Sequence, residues 1–449
     1  MPELPTLRYA SQTDVGMRRA TNQDSLAIRL SSDFQSWSEQ GHLFVVADGM
    51  GGHAVGDLAS RIVADSLPLA WCKSAKEEPA ERLQEAIHAA NRAINDRAVQ
   101  NPEFKGMGTT CSVLNLSSRG AFIGHVGDSR VYRLRHGLLQ QLTFDHSLQW
   151  EMIRLGRSTA ENVENEHPRN VITRCLGPDL GVQVDIEGPF SVHPGDVFLL
   201  CSDGLTNHVS DAEIGRTLRE LPVNESCRFL INLANCRGGL DNSTAIVVQI
   251  EQYPDIEGTL TDSAFVAPLP PAPPQPASRP LRRLPLTAAA VLLTILAAAF
   301  CFFGGWPLAG ASVLAVGLIA IWLYRRPTAE VVIQPPVPVA VPEVSQESRP
   351  HIESCSQLRS SFLPQSPYRS TESFSSEYLQ TLVNDVLREL LQNARTAGWK
   401  TDADIKGIQS RNAGDRSGKG EQLLGNVRTI NTVMRDFYSA TRGAGVGSI

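Results

Sequence analysis

The sequence predicts an α+β protein built on antiparallel sheets, and three observations carry that prediction. Between residues 1 and 252 strand-like runs outnumber helical ones, several strands follow one another with no helix between them to carry a parallel crossover, and turn residues punctuate the series. The run "HLFVVADGMGG" (42–52) reads as a strand, because β-branched and aromatic residues fill it and a glycine cluster stops it just after Asp48. Taken alone, the stretch reads as a tight turn with an Asx-type hydrogen bond before it reads as a ligand site. The stretch "RLQEAIHAANRAINDRAV" (82–99) places Leu83, Ile87, Ala90 and Ile94 at helical spacing with charges between them. Residues 120–143 read as two strands joined around "RHG", and "DVFLLCSDG" and "NSTAIVVQI" as two more.

Beyond residue 252 the composition changes. Residues 253–283 form a linker whose proline-rich part, "APLPPAPPQPASRP", can extend but cannot pack a core. Residues 284–324 hold two uncharged apolar runs, Leu286–Phe303 and Leu308–Tyr324, each close to the roughly 17–25 residues of a membrane-spanning helix. They predict a transmembrane hairpin. Arg282 and Arg283 precede it and Arg325 and Arg326 follow it, which places both flanks in the cytoplasm by the positive-inside rule. A buried helix pair in a soluble domain is the alternative. Residues 325–376 are rich in Pro and Ser and read as a disordered linker. Residues 377–449 predict a small helical module, with Leu379, Leu382, Val383, Val386, Leu387, Leu390 and Leu391 on one side of a first helix and 421–442 as a second.

The net charge of −6 leaves no general basic footprint for nucleic acid. Eight scattered cysteines without a CxxC pair suit a reducing compartment, and residues 1–16 lack the pattern of a secretory signal.

Within 1–252 aspartates recur at strand ends and in glycine-flanked loops: Asp24, Asp48, Asp128, Asp203 and Asp241. One such residue is usually a turn former. Five in one globular region form a pattern that a hard cation explains, since carboxylates at strand ends suit Mg²⁺ or Mn²⁺ while zinc calls for His or Cys at ligand spacing.

The segments "GMRRATNQDS", "VVADGMGGH", "GMGTTCSVL", "GHVGDSRVYRL", "LTFDHS", "VITRCLG", "LLCSDGLTNHV" and "DNSTAIVV" occur in the order seen in the metal-dependent protein phosphatases of the 2C-like (PPM) type, and over residues 6–251 the chain resembles that family in its bacterial, membrane-tethered form. The resemblance implies a four-layer α-β-β-α sandwich of two antiparallel sheets flanked by helices. It also implies two Mn²⁺ or Mg²⁺ ions, with a third, weaker one. By similarity Asp48 bridges the two ions, the Gly49 carbonyl ligates the second, and Asp203 and Asp241 complete the first ion's shell. Asp24 and Gln23 would hold metal-bound waters, Asp128 would hold the third ion, and Arg19 would grip the substrate phosphate. Two departures from the animal pattern stand out. Met50 replaces a histidine proposed as general acid and Gln23 a common glutamate, and His53 is a candidate donor beside its reading as a surface histidine. Residues 150–172 occupy the place of the family's flap, a loop near the active site.

The expectation is therefore a phosphoprotein phosphatase acting on phosphoserine and phosphothreonine, held at the cytoplasmic membrane by its hairpin with both soluble regions in the cytoplasm, and opposing a Ser/Thr kinase. Two alternatives stay open at this point: a silent phospho-binding scaffold that keeps the fold, and a hydrolase of small phosphate esters.

Overall fold

The structure is a computed structural model that describes residues 3–51, 55–159, 162–168, 171–254, 370–372, 376–396, 402–412 and 419–442. The predicted hairpin and His53 lie outside the described residues.

Two sheets stack face to face, and every strand pairing in them is antiparallel. The first runs β1 (Thr6–Asp14), β11 (Ser243–Gln252), β10 (Val197–Cys201), β7 (Arg130–Arg135), β8 (Leu138–Gln141) and β12 (Ser370–Glu372). The second runs β2 (Asp24–Arg29), β3 (His42–Met50), β5 (Cys111–Ser117), β6 (Gly120–Val126) and β9 (Asp185–Phe190), with the short β4 (Gly108–Thr109) paired to the end of β3. The stretch 120–143 thus carries three strands rather than two. The turn at "RHG" joins β7 to β8, where His136 adopts φ 51°, and a further break at Gly127–Ser129 separates β6 from β7.

Side-chain alternation along each strand divides the apolar residues between two cores. Phe44 and Val46 on β3, Phe198 and Leu200 on β10, and Ile246 and Val248 on β11 point between the sheets. Their neighbours point outward. Val45 and Ala47 meet α2 (Gly56–Lys73) and α3 (Pro79–Gln100) through Val63, Leu67, Leu83 and Ile87. Leu199, Cys201, Ala245 and Val247 meet α7 (Asp211–Glu220) and α8 (Val223–Cys236). These are the four layers of the expected sandwich.

The α7–α8 side carries more than a sandwich needs. Three C-terminal helices, α9 (Ser376–Thr396), α10 (Asp402–Asn412) and α11 (Lys419–Arg442), belong to the same compact unit as the sandwich. Leu379, Val383, Leu387 and Leu391 recur every fourth residue on α9, so they form one stripe, and that stripe joins Ile214, Leu218, Phe229 and Leu230 in a single core with Val427, Ile430 and Val433 of α11. Each such aliphatic side chain contributes about 1.5–3 kcal/mol when buried. Polar contacts fix the register. Asn232 donates to Asn431 at 2.8 Å, Asn431 donates to Glu225 at 2.8 Å, and Asn235 donates to the Tyr438 hydroxyl at 2.7 Å. Burial runs all round α8 because it lies between a sheet and a second helical layer. Residues 370–372, inside the stretch read from sequence as a linker, pair with the free edge of β8.

Candidate metal centre

The site residues gather where strands of both sheets end. Asp24 opens β2 and stands opposite Asp48 in the β2–β3 register. Asp203 opens the short helix α6 (Asp203–Thr206) just after β10, Asp241 sits just before β11, and Asp128 follows the turn that ends β6. Five carboxylates separated by up to 217 positions thus converge through the ladder geometry alone.

Backbone pieces at this edge approach closely. A Cβ on Gly49 would run into the Gly56 carbonyl oxygen and one on Gly204 into that of Asn242, so neither position can carry a side chain. Asp48 itself is locked through its main chain. Its N–H donates to Thr110 Oγ1 at 2.8 Å, and its carbonyl accepts from the Thr110 N–H at 2.8 Å and from Thr109 Oγ1 at 2.9 Å. Ser202 ties the two sheets together: its hydroxyl donates to Asp24 Oδ2 at 2.7 Å and accepts from the Thr244 N–H at 2.9 Å.

The electrostatics are those of like charges crowded away from water. Burial pushes the Asp24 carboxyl up to about 7, with Asp203 and Asp241 adding to the rise against hydrogen bonds from Ser202 and Thr244. Asp48 is driven well above the carboxylate range, first by burial and then by the charges of Asp24, Asp203, Asp128 and Asp241. Burial, and after it Asp203 and Asp145, does the same to Asp128. For Asp203, burial and Asp241 outweigh hydrogen bonds with Asp48 and Asn207. Among the described residues no three His, Cys, Asp or Glu side chains stand close enough to grip an ion as placed.

The donor set fits a hard divalent cation. Every side-chain donor is a carboxylate oxygen, and Asp24 Oδ1 and Asp128 Oδ1 are buried without a hydrogen-bond partner. A cation among them would satisfy those atoms and remove the repulsion that raises the pKa values. Arg19, which the sequence assigns to the phosphate, donates to Asp241 Oδ2 at 2.8 Å with both side chains partly exposed.

The structure adds three residues that sequence reasoning left unassigned. Asn242 accepts from the Gln23 N–H at 2.8 Å and donates to the carbonyls of Val15 at 2.9 Å and Thr21 at 3.0 Å, clamping the loop that carries Arg19. Thr110 holds Asp48 and shares a 2.8 Å hydrogen bond with Ser129, the neighbour of Asp128. Ser202 orients Asp24. Asn242 and Ser202 are small polar residues beside Asp241 and Asp203, and that adjacency was their only signal in the sequence, whereas Thr110 stands in "GMGTTCSVL" with no aspartate next to it. Gln23 packs its amide against Gly56, leaving Nε2 without a partner. Among its described residues the expected flap holds two short helices, α4 (Leu148–Arg154) and α5 (Val163–Glu166).

Comparison with known proteins bears on the family. The protein phosphatase 2C family model matches residues 17–237. A protein of Streptococcus pyogenes serotype M6 named protein phosphatase 2C-type is 37% identical over 262 residues, which cover 56% of this chain and 100% of that protein. The serine/threonine protein phosphatase PstP of Mycobacterium tuberculosis is 35% identical over 248 residues, covering 55% of this chain and 46% of that protein. A PstP catalytic domain solved in complex with two manganese ions is 35% identical, covers 55% of this chain and 99% of that one, and superposes with a TM-score of 0.47. The S. agalactiae serine/threonine phosphatase is 35% identical, covers 55% of this chain and 100% of that one, and superposes with a TM-score of 0.50. With a relative more than 30% identical matched over its whole length, the chain belongs to the protein phosphatase 2C family of metal-dependent serine/threonine protein phosphatases.

Proposed function

We propose that this chain removes phosphate from phosphoserine and phosphothreonine in proteins, using two Mn²⁺ or Mg²⁺ ions held by Asp48, the Gly49 carbonyl, Asp203 and Asp241. Asp24 and Gln23 would hold waters of the metal site and Asp128 would hold a third, weaker ion. The observation that carries this reading is the gathering of Asp24, Asp48, Asp128 and Asp203, each pushed up by burial and by its neighbours' charges, at the sheet edge where Arg19 pairs with Asp241. When bound, the ions would supply a water of lowered pKa and neutralise charge developing on the phosphoryl group. The remaining steps belong to the chain. Arg19 is partly exposed and spends one guanidinium nitrogen on Asp241, which leaves N–H groups to orient the phosphate oxygens. Asn242 keeps the Arg19 loop against the site, and Thr110 and Ser202 keep Asp48 and Asp24 from turning away. Hydrolysis breaks the ester P–O bond, joins the water oxygen to phosphorus and returns a proton to the departing serine or threonine oxygen.

The reading extends to location. The apolar runs within 284–324 anchor the chain in the cytoplasmic membrane as a hairpin, both soluble regions remain in the cytoplasm, and the enzyme opposes a Ser/Thr kinase there. Support comes from the shared core of α8, α9 and α11: segments on both sides of residues 255–369 pack together, so an intervening membrane segment has to return to the side it left.

The test uses the full chain in detergent. Mn²⁺-dependent phosphate release from a phosphothreonine peptide, lost in Asp203→Asn, is the expected result. Turnover of an aryl phosphate alone would move the reading to small esters, and no turnover by a folded, metal-binding protein would overturn it. For the anchor, the chain should resist carbonate extraction from membranes, and a variant lacking 284–324 should be released.

A further inference from the structure

We infer that His146, which the mechanism above does not use, is a positioning residue that ties the base of the 148–172 loop to the turn carrying Asp128. The inference rests on the proposed role of Asp128 as a metal ligand.

His146 is buried in the short connection between β8 and α4. Its backbone N–H donates to the Gly127 carbonyl at 2.7 Å and its ring Nδ1 accepts from the Gly127 N–H at 3.0 Å. Gly127 is therefore held through both its amide and its carbonyl. It has φ 112°, and a Cβ there would collide with Thr110, so no other residue fits this turn. Asp128 is the next residue.

Because Nδ1 accepts a hydrogen bond, the ring proton resides on Nε2, and Nε2 donates to Asp185 Oδ2 at 2.9 Å. The other Asp185 oxygen accepts from Arg174 at 2.8 Å, just past the far end of the loop. The backbone closes the same circuit. The His146 carbonyl accepts from the Thr173 N–H at 2.8 Å, Ser147 forms a β-bridge with Ile172, and the Leu148 N–H donates to the Val171 carbonyl at 2.8 Å. The His125 ring packs on His146 at 4.9 Å and donates from its own Nε2 to the Phe144 carbonyl at 2.7 Å, which fixes the ring plane. One neutral imidazole thus joins three elements: the Asp128 turn through Nδ1, the Asp185–Arg174 pair through Nε2, and the loop base through its main chain.

Two substitutions separate these duties. In His146→Asn the amide oxygen lies near the place of Nδ1 and keeps the Gly127 bond but cannot reach Asp185. In His146→Gln the amide nitrogen lies near the place of Nε2 and keeps the Asp185 bond but leaves the Gly127 N–H unpaired. With the full chain, three readouts follow: tryptic cutting at the exposed Arg154 and Arg157, Mn²⁺ binding by calorimetry, and KM against kcat for a phosphothreonine peptide. The Asn variant is expected to be cut about tenfold faster or more, the factor of one hydrogen bond to a charged carboxylate, with a raised KM, an unchanged kcat and unchanged Mn²⁺ binding. The Gln variant is expected to lose affinity at its weakest Mn²⁺ site by a similar factor while its loop is cut at the parent rate. Identical changes in both variants, or parent-like cutting and Mn²⁺ binding in both, would overturn the inference. If neither variant folds, Asp185→Asn serves in their place: faster loop cutting is expected, and unchanged cutting overturns the coupling. A parent chain that binds no Mn²⁺ defeats the proposed role of Asp128, whereas the cutting rates still report on His146.

Discussion

Buried carboxylates occur in two environments in this molecule, and they behave in opposite ways. At the sheet edge Asp24, Asp48, Asp128 and Asp203 face one another with little positive charge nearby, and each is pushed up. Elsewhere four carboxylates each have a cation. Asp196 accepts from Arg135 at 2.7 and 2.6 Å, Asp145 from Arg130 at 2.6 Å, Asp185 from Arg174 at 2.8 Å, and Glu213 from Arg237 at 2.7 Å. Burial alone would raise Asp185 and Glu213, yet their partners bring both down to about 2. The same chemical group serves the fold where its charge is matched inside the chain, and serves ligand binding where the match has to come from outside.

The sharpest way to break this contrast is to neutralise one member of each set. Asp48→Asn should lower phosphatase activity by roughly a thousandfold or more, the scale on which loss of a group that stabilises transition-state charge is felt. In EDTA its melting temperature should stay level or rise, because a repelling buried charge has gone. A fall in melting temperature with activity retained would reverse the assignment. Arg135→Met does the converse. It strands Asp196, which is 1% exposed, and should destabilise the fold by about 3–5 kcal/mol in urea titration while the folded fraction keeps its kcat.

Adding the missing countercharge should erase the difference. Mn²⁺ at about a hundred times its Kd should stabilise the full chain by about 2.7 kcal/mol, and the gain should vanish in Asp203→Asn. Acid acts on the paired set. Burial tends to raise Glu213, and the Arg237 guanidinium together with the Ser210 N–H and hydroxyl outweighs it, so the folded value of about 2 lies below the ordinary 4.5. A depressed folded pKa contributes stability that is present above the unfolded value and lost as the pH falls through the folded one, so the loss runs from about 4.5 down to about 2. Glu213→Gln should flatten the urea midpoint across that window. An unchanged pH slope would mean that Glu213 is not held by Arg237 in solution.

The two sets were not equally legible in the sequence. Asp48, Asp128 and Asp203 announce themselves locally, as at "VVADGMGG" and "LLCSDGL", because glycine marks the stop and the close backbone approach, whereas Asp24 in "TNQDS" has no glycine beside it. The matched carboxylates have partners 24 to 61 positions away in the cases of Arg237–Glu213 and Arg135–Asp196, and nothing nearby distinguishes them from solvated surface charge. The C-terminal helices fall between these extremes. The fourfold repeat from Leu379 to Leu391 reveals an apolar stripe, so α9 was legible, but a stripe does not encode its cover, which turned out to be α7 and α8 of the chain's own sandwich. The strand at 370–372 left no trace in a Ser-rich stretch because edge pairing uses main-chain groups that any residue supplies. His146 was visible only as one letter of "LTFDHS", since its partners, Gly127 and Asp185, lie 19 and 39 positions away.

The smallest effect tests whether the matched set extends across the junction between the sandwich and its C-terminal cover. Tyr378 on α9 donates its hydroxyl to Glu213 Oε1 at 3.2 Å, next to the oxygens that Arg237 and Ser210 already satisfy. A third donor on a carboxylate that has two strong ones adds little, and the tyrosine is partly exposed. Tyr378→Phe should therefore cost only about 0.5–1 kcal/mol in urea titration and leave Mn²⁺ affinity and kcat unchanged. A larger loss, or one absent in a Glu213→Gln background only at low pH, would show that the cover is held by charge. A loss within that range would leave Leu379, Val383 and their apolar neighbours as the bond between the two parts.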